Sequence, residues 1–306
     1  PAMHAVFGVY GAQEVSNVDA AYCCAVQAKN TVKGKFNDYC SFYNDVSVAE
    51  AKERQELVDG FAAALEQEAF EVWYQPKVDS FTNKIMGAEA LIRLRDEAGN
   101  LIPPYKFIPL FERDGLIRRL DEYVFNSVCT IQRAAIDRGL DIIPISINLS
   151  RVSLYYADIV EVYEGILQFW DIEPEYVPLE ITESAIDSDK KIRAMVEKFA
   201  AHGFKLHLDD FGSGYSSLVL LNELRFDNIK IDKSLVDYIG DTKGNKLLTH
   251  IITLSKELGM GITAEGVEHE EQIEFLKSLD CHCIQGYYFS PPLNFDKFDK
   301  YYHEHR

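Results

Sequence analysis

The feature that most constrains this chain is a regular alternation of strand-like and helix-like segments from Phe70 onward. Amphipathic stretches such as "KKIRAMVEKFAAHG" and "GNKLLTHIITLSKELG" separate short apolar runs that are typical of buried strands. These runs are "EVWYQPKVD", "IMGAEALIRL", "IIPISINLS", "VPLEITES", "FKLHLDDF", "NIKIDKS", "GITAEGVE" and "HCIQGYYFS". Because parallel strands need a long crossover connection, the alternation predicts an α/β fold with a parallel sheet.

The number of predicted strands favours a closed sheet. Eight strands within about 220 residues fit a modified (β/α)8 TIM-like barrel, a fold that usually takes about 250 residues. An open doubly wound sheet is the alternative, but the glycine-rich phosphate-binding turn that typically follows its first strand is missing here.

Polar side chains stand at the carboxyl end of nearly every predicted strand. The carboxyl ends of barrel strands meet at one rim, where barrel enzymes carry their catalytic groups, so we expect these side chains to form a ring. The ring consists of Glu89, Asn148, Glu180, Glu183, Asp209, Asp210, Lys230, Asp232, Glu265, Glu268 and Gln285.

The composition of this ring indicates a site for divalent metal ions. It combines carboxylates with amides and one lysine and contains no histidine, a set that suits Mg²⁺ or Mn²⁺. The adjacent carboxylates of Asp209 and Asp210 in "LHLDDFGSGYSS" repel each other unless cations lie beside them. We therefore predict two cations, one on each aspartate, in an arrangement that supports phosphoester hydrolysis. Lys230 and Arg93 are then expected to face phosphate oxygens or the attacking water.

Other interpretations of the same residues stay open at this point. An Asp-Asp pair alone is most often a turn or a helix cap, and "DFG" lacks the other motifs of a kinase. Glu180 and Glu265 could be the carboxylate pair of a glycosidase, since many glycosidases are barrels. That interpretation leaves the Asp-Asp pair and Lys230 unexplained.

Composition narrows the partners and the compartment. The formal net charge of −18 argues against a DNA or RNA polymer, although bound divalent cations would still admit an anionic small ligand. No apolar run approaches the roughly 20 residues of a membrane span, and no signal peptide is recognisable. We expect a cytoplasmic protein, with any membrane attachment of the full-length protein outside this sequence.

The cysteines include no C-x-x-C pair and are expected to be reduced, and Cys281-His282-Cys283 is a weak zinc pattern.

Several of these motifs occur together in one known family. In order from about Glu66 to Leu293, the chain closely resembles the EAL-domain family through "GAEALIRL", "SINLS", "LEITES", "LDDFGSGYSSL", "IKIDKS", "TAEGVE" and "QGYYFSPPL". The resemblance implies a barrel with one antiparallel strand and a metal-dependent phosphodiesterase that opens cyclic di-GMP to linear pGpG by in-line attack of activated water. It also implies a homodimer. A catalytically inactive cyclic di-GMP receptor that uses the same pocket is the alternative.

The resemblance also implies a role for each matching residue. Leu94 stands where the family often has Trp, outside the metal set. Glu183 would anchor the loop that follows the Asp-Asp pair. The metal ligands would be Glu89, Asn148, Glu180, Asp209, Asp210 and Glu265. The catalytic residues would be Lys230, which contacts the attacking water, Glu265 as a base, and Glu268 in support. The substrate-binding residues would be Gln75, Leu91, Arg93 and Gln285.

Residues 1–47 form a separate segment. They predict one strand, one helix and one strand, which are too few elements to bury a core. The segment resembles the last third of a GGDEF cyclase domain, whose nucleotide-binding and catalytic parts would lie upstream. We therefore predict a small N-terminal α/β remnant, a linker helix over 48–65, an EAL barrel over 66–306, and upstream GGDEF or sensory domains in the full-length protein.

Overall fold

The structure is a computed structural model that describes residues 7–9, 21–22, 24–26, 28–29, 40–42, 45–186, 189–213 and 218–306. The chain divides into two compact units. One comprises residues 1–68 with Tyr105–Phe111, and the other comprises Ala69–Pro104 with Glu112–Arg306. The domain boundaries expected near residues 47 and 65 remain predictions.

The first unit contains a parallel strand pair. Strand β1 (Phe7–Val9) pairs in parallel with β2 (Cys40–Phe42), and the described residues between 21 and 29 are helical. Helices α1 (Asp45–Asp59) and α2 (Phe61–Glu66) follow, over the stretch predicted as a linker helix. Among the described residues the order is therefore strand, helix, strand and then helix, as the sequence predicts.

The second unit is a closed mixed barrel. The strand order is β3, β11, β10, β9, β8, β7, β6 and β4, and β3 pairs with β4 to close the ring. Only β3 runs antiparallel to its neighbours in the barrel. This confirms the predicted TIM-like barrel and the antiparallel strand, and it excludes the open sheet. The strands are β3 (Phe70–Asp79), β4 (Ile85–Arg95), β6 (Ile145–Asn148), β7 (Leu179–Thr182), β8 (Leu206–Phe211), β9 (Asn228–Ile231), β10 (Gly261–Ala264) and β11 (Cys283–Ile284), with a short β5 (Leu101–Ile102) beside β4.

The antiparallel strand follows from the length of the first connection. Strand β3 ends at Asp79 and β4 begins at Ile85, which leaves too few residues for the dozen or so that a parallel crossover needs. The Asp79 carboxylate stabilises the turn by accepting hydrogen bonds from the backbone N–H groups of Phe81 at 3.0 Å and Thr82 at 2.7 Å.

Amphipathic helices make up the rest of the barrel unit. In the helix Ile117–Asp137, the buried residues Leu120, Val124 and Val128 recur at the four-residue spacing of one helix face. Among the described residues, no helix combines the length and the apolar character that a membrane span requires. Helix α3 (Pro104–Arg113) belongs largely to the first unit, which includes Tyr105–Phe111. The helices of the barrel unit are α4 (Ile117–Asp137), α5 (Ile159–Trp170), α6 (Glu183–Ile186), α7 (Lys190–Ala201), α8 (Leu218–Glu223), α9 (Lys233–Val236), α10 (Thr242–Glu257), α11 (Glu270–Ser278) and α12 (Phe295–His305), with 3₁₀ turns at Ser153–Tyr155 and Pro174–Tyr176.

The barrel has a polar interior and an apolar exterior. Side chains along a strand alternate between its two faces, so Leu179 and Ile181 join the apolar core while Glu180 between them points into the barrel. Lys77 on β3 contacts Glu180 on β7, a strand that is not its neighbour, and this contact crosses the interior. Because a buried charge is costly unless it is paired, the partners of these residues determine what the interior can do. The buried polar residues on the strands or directly after them are Gln75, Lys77, Ser80, Glu89, Ser146, Glu180, Asp209, Lys230, Thr263 and Gln285.

Candidate active site

Lys230 on β9 lies among the carboxylates at the carboxyl-terminal end of the barrel. Its ammonium contacts Glu180 and lies 2.7 Å from Glu265, 2.8 Å from Asp209 and 3.4 Å from Glu89. Burial alone would lower the pKa of Lys230, but these four carboxylates raise it well above its ordinary value. We call Glu89, Glu180, Asp209, Asp210 and Glu265 the acidic cluster.

Asp209 and Asp210 reach the same site because β8 is irregular. In a regular strand, neighbouring side chains point to opposite faces of the sheet. Here the pairing of β8 with β9 shifts register between Leu208 and Phe211, and Asp210 has a φ of 55° in the left-handed region. As a result, ligand oxygens of Asp209, Asp210 and Glu265 lie within 4.8 Å of one another. The two adjacent carboxylates can therefore serve one site.

Side-chain amides hold Glu89 in one orientation. Asn148 Nδ2 donates a hydrogen bond to Glu89 Oε1 at 2.7 Å, and Gln285 Nε2 donates to Glu89 Oε2 at 2.6 Å. Gln285 Nε2 also lies 3.1 Å from Gln75 Oε1, and Gln75 Nε2 donates to the Ser290 carbonyl at 3.3 Å. The structure thus brings Gln75, Glu89, Asn148 and Gln285 into one network beside Lys230.

The acidic cluster carries more negative charge than Lys230 can balance. Burial raises the pKa of Glu265 to about 8 despite the attraction of Lys230. Burial and repulsion from Glu180 raise the pKa of Glu89, and burial and repulsion from Asp209 raise the pKa of Asp210. Raised carboxyl pKa values indicate that these groups lack sufficient positive charge among the side chains around them.

The donors of this site fit divalent metal ions. Asp209 Oδ1 is buried and, although it lies 2.8 Å from Lys230 Nζ, it accepts no hydrogen bond from the part of the chain that the structure describes. The Lys230 ammonium has three N–H donors for four carboxylates, so it cannot give each of them a hydrogen bond, and a cation would supply the missing partner. Carboxylate and amide oxygens are the ligands that Mg²⁺ and Mn²⁺ take. The residues present therefore fit the predicted cations.

Three predicted residues, Arg93, Leu91 and Glu183, lie outside these contacts. Arg93 is half-buried, with its guanidinium carbon 5.8 Å from the centroid of the Trp73 ring, and Leu91 pairs with Trp73 across β3 and β4. Glu183 begins helix α6, and the loop that it is predicted to anchor includes residues 214–217, which lie outside the described residues.

The structure places Glu268 away from Lys230. Its carboxylate lies 3.2 Å from Lys233 Nζ, and its backbone N–H donates to Gln272 Oε1 at 2.8 Å. The expectation that Glu268 supports Lys230 is therefore not matched by a direct contact. Glu268 is 40% exposed at its side chain and lies too close to solvent to share the buried cluster.

Sequence reasoning missed a second set of polar residues, which we call the lower set: Lys77, Ser146 and His207. Lys77 Nζ lies 2.7 Å from Glu180 Oε1 and donates to Ser146 Oγ at 2.6 Å. His207 Nδ1 lies 3.6 Å from the same Glu180 oxygen, and burial lowers the pKa of His207. The available signal was Lys77 itself, since it stands two residues after Gln75 in a buried strand and a charge on that face needs a counter-ion.

The weak zinc pattern at Cys281-His282-Cys283 gains no support. Among the described residues, the group found with three potential metal-binding side chains is Asp209, Asp210 and Glu265. His282 lies 3.0 Å from the Asp79 carboxylate, and burial raises the pKa of the Cys281 thiol to about 12. A buried thiol that resists ionisation is a poor metal ligand.

Comparison with known sequences places the chain among EAL-domain proteins. A family model described as EAL domain matches residues 59–292. The bifunctional diguanylate cyclase/cyclic di-GMP phosphodiesterase MucR of Pseudomonas aeruginosa is 35% identical over 260 residues, which cover 84% of this chain and 38% of MucR. The probable cyclic di-GMP phosphodiesterase PdeB of Escherichia coli is 34% identical over 247 residues, which cover 79% of this chain and 46% of PdeB. The chain thus spans less than half the length of these curated relatives.

Solved structures share the barrel. The PaMucR phosphodiesterase in complex with c-di-GMP matches with a TM-score of 0.74 at 33% identity, over 79% of this chain and 99% of that one. The FimX EAL domain from Pseudomonas aeruginosa, bound to c-di-GMP, matches with a TM-score of 0.72 at 22% identity, over 78% of this chain and 96% of that one, a likeness of fold alone. Because the family model covers more than half of the sequence and the barrel agrees, the chain belongs to the EAL-domain family.

Proposed function

We propose that this chain hydrolyses cyclic di-GMP to linear pGpG with the help of two divalent cations. The observation that carries the proposal is the acidic cluster, whose carboxylates outnumber the lysines beside them. The substrate is supported by MucR and PdeB, which are named as cyclic di-GMP phosphodiesterases, and by the c-di-GMP complex of PaMucR. Family membership disfavours the glycosidase interpretation of Glu180 and Glu265.

The acidic cluster and its amide partner supply the proposed metal ligands. Glu89, Asn148, Glu180 and Asp209 would hold the first cation, Asp210 would hold the second, and Glu265 would contact a cation or the water. When bound, the two cations would polarise the phosphate and acidify the attacking water. We propose Mg²⁺ or Mn²⁺ because all the donors are oxygens.

The remaining roles belong to the chain's own side chains. Lys230, held by four carboxylates, would donate a hydrogen bond to the attacking water, and deprotonated Glu265 would accept its proton. Arg93 would contact a phosphate oxygen. The water oxygen attacks phosphorus in line with the leaving 3′ oxygen, whose bond to phosphorus breaks.

Other residues would position the substrate and the rim. Gln75 would contact a guanine, and Leu91 and Gln285 would line the pocket. Glu268, through its contact with Lys233, would support the rim rather than the chemistry. Glu183 would anchor the loop after the Asp-Asp pair.

Chromatography of the reaction products tests the function. The protein is incubated with cyclic di-GMP and Mn²⁺ or Mg²⁺, and we expect linear pGpG to accumulate until a chelator is added. Asp209→Asn should lose more than about 100-fold in turnover, since mutation of even outer-shell partners of a metal typically costs 10–100-fold. The exposed Lys84→Met serves as a control and should keep the wild-type rate. Absence of product with either metal would contradict the proposal.

The position of Lys230 favours a second candidate function, a cyclic di-GMP receptor without catalytic activity. Lys230 already lies beside four carboxylates, so part of the cluster is neutralised without a metal. A receptor would bind cyclic di-GMP at the same pocket, with the same affinity in chelator and in Mn²⁺, and release no pGpG. Calorimetric titration alongside the product assay separates the two functions.

Assembly is a further part of the proposal. The family resemblance supports a homodimer, which light scattering of the purified chain tests directly. The N-terminal strand pair and the cyclase activity in the name of MucR support an upstream GGDEF domain in the full-length protein. Sequencing of the transcript upstream of this segment tests that arrangement.

A further inference from the structure

Glu180 lies between two buried lysines that take different oxygens. Its Oε2 contacts Lys230, and its Oε1 accepts a hydrogen bond from Lys77 Nζ at 2.7 Å. The Lys77 side chain is only 7% exposed, and the side chain of Glu180 is 0% exposed. The two carboxylate oxygens thus face two different environments, one in the acidic cluster and the other in the lower set.

Lys77 is itself fixed by its surroundings. Its ammonium also donates to Ser146 Oγ at 2.6 Å, and Ser146 Oγ donates to the Ala88 carbonyl at 3.2 Å. The terminal torsion of a glutamate is broad, so an isolated carboxylate would rotate and present either oxygen. A charged hydrogen bond from an anchored lysine removes that freedom.

We propose that Lys77 is a positioning residue for the metal site: it holds Glu180 Oε1 away from the acidic cluster so that Oε2 points at the cations. The inference rests on the proposed function, because the cations are those proposed for hydrolysis. Its test measures metal affinity and does not require turnover. A ligand that is already oriented binds a metal ion more tightly, because less conformational freedom is lost on binding. Residues that orient metal ligands in this way typically contribute 10–100-fold in metal affinity.

Lys77 can also be reached from outside the active site. A cavity of about 820 Å³ lies at the amino-terminal ends of the parallel strands, opposite the acidic cluster, and the lower set forms part of its wall. Shortening Lys77 to alanine would open space that is continuous with this cavity. The missing atoms correspond to one molecule of propylamine. A small amine that enters this cavity could therefore place an ammonium group at the position that Lys77 Nζ occupies in the wild type. Residues at or near the strand starts that line it include Gly87, Pro144, Pro178, Lys205, Asn228 and Gly261.

Metal affinity measures the proposed role directly. Calorimetric titration of Mn²⁺ into Lys77→Met should show a dissociation constant raised about 10–100-fold over wild type. The matched control Lys84→Met, an exposed lysine in the turn before β4, should bind Mn²⁺ as wild type does. Cyclic di-GMP affinity in chelator should change less than about 3-fold in Lys77→Met, since a positioning residue for the metal site does not touch substrate.

The same titration distinguishes the possible failures. Wild-type Mn²⁺ affinity in a folded Lys77→Met, checked by circular dichroism, overturns the inference. If Lys77→Met does not fold, Lys77→Arg keeps the charge and should retain Mn²⁺ affinity within about 10-fold of wild type; a larger loss overturns the inference. If the wild type binds Mn²⁺ in a Lys77-dependent way but makes no pGpG, the proposed function fails and the positioning role stands.

Chemical rescue tests whether the ammonium itself is required. Propylammonium added to Lys77→Ala should recover Mn²⁺ affinity at least about 5-fold, within the 10–100-fold range expected for the loss. Propan-1-ol, which has the same length and no charge, should not. Equal recovery with the alcohol would overturn the role of charge, and recovery with neither would overturn the claim that the cavity leads to the Lys77 position.

Discussion

The two oxygens of Glu180 divide the barrel interior into two regions of opposite electrostatic character. On the side of the acidic cluster, Lys230 meets carboxylates from four strands or their ends, and the pKa of Glu265 rises to about 8. On the other side, Lys77 pairs with the Glu180 carboxylate and completes its contacts with the neutral Ser146 hydroxyl. The charge of Lys77 in the lower set is balanced by Glu180, whereas the acidic cluster as a whole keeps a surplus of carboxylates.

The difference shows how one barrel can hold both a structural and a reactive group of buried charges. Glu180 contacts the lysines of both regions. Burial would raise its pKa, but Lys230 and Lys77 together hold that pKa well below its ordinary value. It therefore stays ionised, as a metal ligand must. The surplus of carboxylates in the acidic cluster is what calls for divalent cations there and not in the lower set.

The largest expected effect comes from removing the ammonium of the acidic cluster. Lys230→Met should slow turnover about 10²–10⁴-fold, the usual contribution of a group that assists proton transfer. In chelator it should also lower the free energy of unfolding by about 3–5 kcal/mol, because buried carboxylates lose their partner. Product assays and urea unfolding measure the two effects. A variant as stable as wild type in chelator would contradict the charge imbalance described here.

Added metal should stabilise the acidic cluster specifically. Saturating Mn²⁺ at 100 times its dissociation constant should raise the free energy of unfolding of the wild type by about 2.7 kcal/mol. The same metal concentration should stabilise Asp209→Asn much less. Thermal unfolding with and without chelator measures both, and equal stabilisation of the two proteins would place the metal elsewhere.

Glu265 should make stability depend on pH when metal is absent. Its pKa in the folded protein, about 8, exceeds its ordinary value of 4.5, so the folded state holds the proton more tightly. The contribution of Glu265 to stability should be fully present below pH 4.5 and should be lost as the pH rises through about 8, by about 5 kcal/mol at 1.36 kcal/mol per pKa unit. Urea unfolding in chelator at several pH values measures the decline, and Glu265→Gln should flatten it. Mn²⁺ affinity should rise over the same interval, because binding displaces the proton.

The smallest effect is expected in the lower set. Ser146→Ala removes one hydrogen bond to Lys77 and no charge, so the free energy of unfolding should fall by only about 1 kcal/mol. The pH dependence and the stabilisation by Mn²⁺ should match those of wild type. A loss of either would mean that the Ser146 hydroxyl, and not the charge of Lys77 alone, is needed to orient Glu180.

The sequence alone predicts the barrel strands and most of the polar residues that meet at the rim. The apolar runs fix which segments are strands, and Glu89, Asn148, Asp209, Lys230, Glu265 and Gln285 do converge. The antiparallel β3 came only from the family resemblance. The short connection between Asp79 and Ile85 would have predicted it on physical grounds.

Other features depend on geometry that residue patterns do not carry. The irregularity of β8 that turns Asp210 toward Asp209 depends on strand register, and periodicity does not specify register. Lys77 lies in the middle of β3 and not at the rim, so the pattern of polar residues at strand ends does not reveal it. Glu268 matched its family position, but its flexible side chain pairs with the nearer Lys233.

The left-handed backbone of Asp210 limits how this site can change over evolution. Most residues are penalised at a φ of 55°, whereas asparagine and glycine tolerate it. Asp210→Asn would therefore discard one negative charge while leaving the local chain path intact. Under the proposed function, in which Asp210 holds one cation, this single conservative exchange would turn an enzyme that cleaves the nucleotide into a sensor that only binds it, at almost no structural cost to the barrel.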